Sequence, residues 1–182
     1  MIRIPKFFHE LLGELQSKSS LAAIVIFVVI AGLFVGVLGY EDLSGLTLLK
    51  QAVTWLLFLD ISGGVIANLT RGTDTYYDRD PVKRWIFIAI HIQPIILSWS
   101  MDISLHYGVI IWAYTLTGAV ILNLIRNNPH HILIAGGLTG LGLLTAVYLG
   151  QFVPFFAAAL WTLYIFKVLF SFSVFHHREG AK

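Results

Sequence analysis

The chain has 182 residues, of which 57% are hydrophobic and 12% charged, with a formal net charge of +2. Soluble domains carry about 25% charged residues, so this composition excludes an ordinary soluble domain and predicts a membrane protein. The small net charge excludes a nucleic-acid partner, and the lack of cysteine excludes disulfides and thiolate metal sites.

Residues 1–20 are too charged for a cleavable signal peptide, because Glu10 and Glu14 interrupt the segment. Pro5 can begin a helix, and residues 6–16 place apolar and charged side chains on opposite faces at helical spacing. The apolar positions are Phe7, Phe8, Leu11, Leu12 and Leu15. The segment therefore predicts an amphipathic helix at the cytoplasmic membrane interface.

Six later segments contain the run of about 20 mostly apolar residues that a transmembrane helix needs. They are 21–40, 50–69, 84–101, 105–125, 131–150 and 153–174. The predicted fold class is therefore all-α, a polytopic membrane bundle of six transmembrane helices. The chain divides into an interfacial segment (1–20), the transmembrane domain (21–174) and a cytoplasmic tail (175–182).

The distribution of Lys and Arg predicts the orientation of this bundle. With six spans, one side of the membrane holds both termini and ten of the 12 basic residues. They are Arg3, Lys6, Lys18, Arg71, Arg79, Lys83, Arg84, Arg126, Arg178 and Lys182. The other side has only Lys50, at a helix end. We therefore expect cytoplasmic N- and C-termini, in the plasma membrane of a prokaryote.

Two glycine pairs have the small-xxx-small spacing that lets helix backbones approach closely in lipid. Gly32 and Gly36 lie in the first span, and Gly136 and Gly140 lie in the fifth. These faces predict close helix packing, including a homo-oligomer as one partner hypothesis beside the lipid bilayer itself.

Asp60, His91 and Lys167 are ionisable residues inside predicted spans, where such residues are costly and mark function by default. At about 1.5 Å per residue they lie roughly 10 to 14 Å from the cytoplasmic helix ends. We therefore predict that they are the catalytic residues of one cytoplasm-facing site.

Other polar residues on the same side of the membrane are candidates for binding a lipid or small-molecule substrate. Asn68 follows Asp60 at helical spacing and shares its face, with Gly64 between them. The complete substrate-binding set is Asn68, Arg71, Tyr76, Tyr77, Arg84, Asn123 and Arg126.

A divalent metal such as zinc or iron is the cofactor hypothesis, because these ions accept carboxylate and imidazole ligands and can activate water. The candidate ligands are Asp60, His91, His131 and His176. No H-E-x-x-H motif supports them. A structural alternative is that Asp60 and Lys167 form an ion pair that joins two helices, and that His91 is a hydrogen-bonded packing residue.

Three functions remain open. The first is a membrane-embedded enzyme, metal-dependent or not, that acts on a lipid or another amphipathic substrate. The second is a small proton-coupled transporter or channel that uses Asp60, His91 and Lys167. The third is a non-catalytic membrane subunit. The ionisable residues stop halfway through the bilayer, which favours a one-sided enzyme chamber over a continuous pore.

Overall fold

The structure is a computed structural model that describes residues 1–177, so the predicted tail 175–182 is described only as far as His177. Arg178 and Lys182 lie outside the described residues. The described helices are α1 (His9–Leu12), α2 (Lys18–Leu38), α3 (Tyr40–Ser44), α4 (Leu48–Ala67), α5 (Arg71–Asp78), α6 (Pro81–Ile90), α7 (Gln93–Ser100), α8 (Leu105–Leu124), α9 (His131–Leu149) and α10 (Phe155–Ile165). A π-helical segment, Phe166–Phe172, continues α10.

Among residues 1–177, five helices are long and apolar enough to cross a membrane: α2, α4, α8, α9, and α10 with the π-helical segment. The last of these is the central helix, since 61% of it is buried against 11% of α2. Leucine, isoleucine and valine side chains remain exposed along the outer helices. Such a surface suits lipid rather than water. The prediction of an all-helical bundle is confirmed, and its apolar helices support a membrane-embedded protein.

Local sequence signals set where these helices begin. The side chains of Ser17 and Thr47 accept hydrogen bonds from the backbone N–H groups of Ser20 and Lys50, at 2.9 and 3.4 Å. These N-caps satisfy backbone donors that the first helical turn leaves free. As a result, α2 and α4 begin within three residues of the starts of the predicted spans, 21 and 50.

The third predicted span, 84–101, is not one helix. Its residues form α6 and α7, which are separated by the non-helical residues His91 and Ile92. Pro94 explains the break, because it lacks the N–H that would bond the carbonyl of Ile90, and its ring crowds that carbonyl. Each half is too short to span a bilayer alone, so the structure confirms five of the six predicted helices and replaces the other by a broken pair.

The N-terminal segment also differs from the single helix predicted over 6–16. A 3-10 turn (Lys6–Phe8) leads into α1, which ends at Gly13 with a φ of +70°. Glycine adopts this conformation without the steric cost that other residues meet, and it turns the chain back. Two short strands, β1 (Ile2–Arg3) and β2 (Leu15–Gln16), then pair antiparallel.

This folded N-terminal segment packs on α5. The Gln16 side chain is buried and donates to the Thr70 hydroxyl at 2.6 Å. The Tyr77 hydroxyl donates to the carbonyl of Glu10 at 2.7 Å. Phe7 and Phe8 remain exposed.

The glycines of the first and fifth spans have different surroundings. Gly32 and Gly36 face the aromatic rings of Phe58 and Trp55 on α4, so they serve packing within the chain. A Cβ at Gly136 or Gly140 would meet nothing within 4 Å. Their face of α9 is open in the single chain, and a role in oligomerisation stays a prediction.

Gly108 marks the closest approach of α7 and α8. A Cβ at this position would overlap the backbone carbonyl oxygen of Pro94 and the hydroxyl of Ser98. We expect Gly108→Ala to lower the free energy of unfolding by about 1–3 kcal/mol, as overpacking does elsewhere. Denaturant unfolding of the purified protein in micelles measures this loss.

Gly136→Ala is the matched control, because the new methyl group enters open space and alanine favours helix by up to about 1 kcal/mol. It should leave stability unchanged or slightly raised. Equal losses in the two variants would show that α7 and α8 are not packed as described.

Candidate functional site

A cavity of about 730 Å³ lies between the N-terminal segment, α4, the broken pair α6–α7 and the π-helical segment. We call it the Asp60 cavity. Most of its lining residues are apolar, among them Phe7, Leu57 and Ile96. The polar lining residues are Glu10, Asp60, Asn68, Tyr77, His91, Gln93 and Lys167. The three predicted catalytic residues therefore share one cavity.

Asp60 is the centre of the polar lining. Its Oδ2 accepts a hydrogen bond from the Lys167 ammonium at 2.9 Å and another from the Gln93 amide at 2.7 Å. The Lys167 side chain is 2% exposed, whereas that of Asp60 is 45% exposed and faces the cavity. The ion pair that was considered as a structural alternative is therefore present, and it forms part of the cavity wall.

Gly64, one turn beyond Asp60 on α4, makes room for this pair. A Cβ there would overlap the Lys167 side chain and would lie 3.1 Å from its Nζ. The space beside Gly64 is thus filled by an amine from the central helix.

Lys167 lies in the π-helical segment Phe166–Phe172. A π-helical turn widens the backbone ring and often marks a functional position. This segment contacts α4, α8 and α9, so the amine is held on the most buried element of the described chain.

His91 lies at the break between α6 and α7. Its Nδ1 bonds the backbone carbonyl of Phe87, and its backbone carbonyl accepts a hydrogen bond from the Tyr164 hydroxyl at 2.7 Å. Its Nε2 is buried and has no hydrogen-bond partner among the described residues. A carbonyl only accepts, so Nδ1 carries the proton in the neutral ring and Nε2 keeps a free lone pair.

Gln93 is the member of the site that sequence reasoning missed. It is neutral, and only its position two residues after His91 and directly before Pro94 links it to the polar cluster. The break in the helix turns it toward Asp60, and its Oε1 is buried with no partner in the described part of the chain.

The predicted substrate-binding residues separate into three groups. Asn68 and Tyr77 line the Asp60 cavity. Arg71 and Tyr76 line a different cavity of about 300 Å³. The remaining three are in polar contacts elsewhere: Arg84 donates to Asn123 at 2.9 Å, and Arg126 pairs with Asp78. These last two groups therefore do not line the Asp60 cavity.

The four predicted metal ligands do not come together. Within residues 1–177, no group of three or more His, Asp or Glu side chains could hold a metal ion. The His131 Nε2 bonds the carbonyl of Leu122 at 3.0 Å, and His131 does not line the Asp60 cavity. The His176 backbone N–H donates to Asp74. The geometry leaves only Asp60 and His91 of the proposed ligand set in one cavity.

Two side chains of α5, Asp74 and Tyr77, have pKa values above their ordinary range. Burial raises the pKa of the Asp74 carboxyl, although the backbone N–H groups of His176 and His177 bond it at 2.9 and 3.0 Å. Burial also raises the pKa of the Tyr77 hydroxyl. Tyr77 is therefore a neutral hydrogen-bond donor at physiological pH.

Comparison with known proteins adds no assignment: the chain matches no known family model, no curated protein and no solved structure.

The ion pair predicts a specific pattern in a double-mutant cycle. Asp60→Asn leaves the buried Lys167 ammonium without its counter-charge, which costs about 3 kcal/mol at buried pairs. Lys167→Met should cost less, since the Asp60 carboxylate is half exposed to the cavity. The double variant should be more stable than the sum of the two losses implies, as measured by unfolding in micelles.

The Lys50–Asp102 pair at the other end of α4 is the control. It is more exposed, and exposed pairs contribute about 1 kcal/mol or less, so Asp102→Asn should have a small effect. Strictly additive losses for Asp60 and Lys167 would contradict the ion pair.

Proposed function

We propose that this membrane protein is an enzyme that acts on a lipid or another amphipathic substrate, with its active site in the Asp60 cavity. One observation supports this most: a large apolar cavity has an acid, an imidazole, an amine and an amide in a single patch of its wall. An apolar pocket with a few convergent polar groups is typical of a small-molecule site.

His91 is the proposed general base. The hydrogen bond from its Nδ1 to Phe87 leaves Nε2 with a free lone pair on a residue that lines the cavity. It would take a proton from a hydroxyl group or a water molecule and so create a nucleophile at the head of the substrate. The phenyl ring of Phe87 lies 3.7 Å from the imidazole ring, centroid to centroid, and restricts its rotation.

Lys167 is the proposed stabiliser of negative charge. Its ammonium has three donors, and one of them is used on Asp60. A remaining donor would bond the oxygen on which charge develops, and the neighbouring carboxylate favours the protonated amine. Asp60 therefore positions and charges Lys167 rather than reacting itself.

Access from the lipid phase supports an amphipathic substrate. Leu56, Leu59 and Ile90 line the cavity and are also exposed on the outer surface of the helices. An acyl chain could therefore enter sideways between α4 and α6 while its head group meets the polar patch. We place this end of the bundle in the cytoplasm, because the bias of Lys and Arg supports that orientation.

The experiment compares membrane lipids from cells that produce the wild type, His91→Gln or His106→Gln. Glutamine at position 91 can still donate to the Phe87 carbonyl but cannot act as a base. His106 is exposed at the opposite end of the bundle and is the matched control. We expect wild type and His106→Gln to convert one lipid class and His91→Gln to slow this by about 10²–10⁴-fold. Equal conversion by all three would contradict the proposed role of His91.

A transporter is the second candidate, because discontinuous transmembrane helices such as α6–α7 commonly form substrate sites near the bilayer midplane. The same variants separate the two functions. A transporter would leave membrane lipids unchanged in every strain, and Asp60→Asn would abolish ligand uptake into proteoliposomes.

A further inference from the structure

Three polar atoms on residues that line the Asp60 cavity lack a hydrogen-bond partner in the described chain. His91 Nε2, Gln93 Oε1 and Asn68 Nδ2 are all buried, and no hydrogen bond reaches them within the described part of the chain. Buried polar groups in proteins nearly always have a hydrogen-bond partner. These three atoms therefore indicate where a ligand, or a water molecule in its place, binds. His91 and Asn68 are each 4% exposed as whole residues.

The neighbours of these atoms decide whether each one donates or accepts. Asp60 is a carboxylate that only accepts, so the Gln93 amide must turn its N–H toward it, and its Oε1 faces away as an acceptor. By the same logic His91 Nε2 is an acceptor, since its Nδ1 donates to Phe87. The Asn68 amide nitrogen adds one donor, although Asn68 also borders a smaller neighbouring cavity.

The charges of the lining are almost balanced. Asp60 and Lys167 cancel each other within their ion pair, and Glu10 is the other ionisable acid of the lining. Arg71, Arg79 and Lys83 line the separate cavity of about 300 Å³, and Lys83 also borders a smaller cavity beside Glu10 and Phe87. A free carboxylate or phosphate head group would therefore find no uncompensated cation in the Asp60 cavity.

We propose that the Asp60 cavity binds an uncharged amphipath whose head group donates two hydrogen bonds, such as a monoacyl or monoalkyl glycerol with two free hydroxyl groups. The hydroxyls donate to His91 Nε2 and Gln93 Oε1, and an oxygen of the head group accepts from Asn68. The apolar lining holds the single chain. This ligand is also the proposed substrate class of the enzyme. Its turnover rests on the proposed function, whereas its binding requires only the cavity.

The test measures equilibrium binding to the purified full chain in phosphatidylcholine nanodiscs. The probes are radiolabelled 1-O-oleylglycerol, its 2,3-di-O-methyl ether and oleate, which share a chain length but differ in donors and charge. We expect the diol to bind at least tenfold more tightly than either of the others. Equal binding of diol and dimethyl ether, or tighter binding of oleate, would overturn the proposal without any variant being needed.

Two variants test the assignment of the acceptor and donor. Gln93→Leu and Asn68→Leu should each weaken binding of the diol by about tenfold, whereas Gln151→Leu, on the exposed far side of the bundle, should not. Unchanged binding in both cavity variants would contradict the proposal.

The result is independent of the lipid comparison. Selective binding of the diol with no lipid conversion would keep the ligand class and remove the enzyme. Lipid conversion without this selectivity would keep the enzyme and remove the ligand class.

Discussion

The rest of the site depends on one constraint: a lysine on the central helix must meet a counter-charge at membrane depth. A lone charge in lipid is costly, and the 2.9 Å contact between Lys167 and Asp60 resolves that cost for a side chain that is 2% exposed. The pair requires Gly64 to remain small and holds α4 against the π-helical segment. It also leaves the Asp60 carboxylate half exposed, so that it can orient Gln93.

The site also depends on the break between α6 and α7 at His91, where most polar groups have hydrogen-bond partners. The His91 backbone carbonyl, which a continuous helix would have satisfied, accepts from Tyr164. The imidazole bonds the carbonyl of Phe87 in the preceding turn. Two polar atoms at the break have no partner in the described chain, His91 Nε2 and Gln93 Oε1, and both belong to residues that line the cavity. The other polar groups at the break are satisfied, which supports a ligand-binding role for these two atoms.

Much of this could be predicted from sequence, for physical reasons. Long apolar runs identified five spans, and the cost of charge in lipid identified Asp60, His91 and Lys167 as one cluster. Gln93 escaped notice because a neutral amide carries no such cost. The break at His91 and the turn at Gly13 depend on local backbone geometry, which apolar periodicity does not register. His131 was a candidate ligand by residue type alone, and its bond to Leu122 is a tertiary contact with no sequence signal.

The central claim is that polar groups on α4, α6–α7 and the π-helical segment line one cavity, which a small water-soluble reagent should reach. The chain has no cysteine, so single-cysteine variants can be labelled without background. Leu57 lines the cavity, and Leu133 projects from the outer face of α9. In sealed vesicles, a membrane-impermeant thiol reagent should modify Leu57→Cys from one side only and leave Leu133→Cys unmodified. Equal reactivity of the two cysteines, or none at position 57, would contradict the cavity.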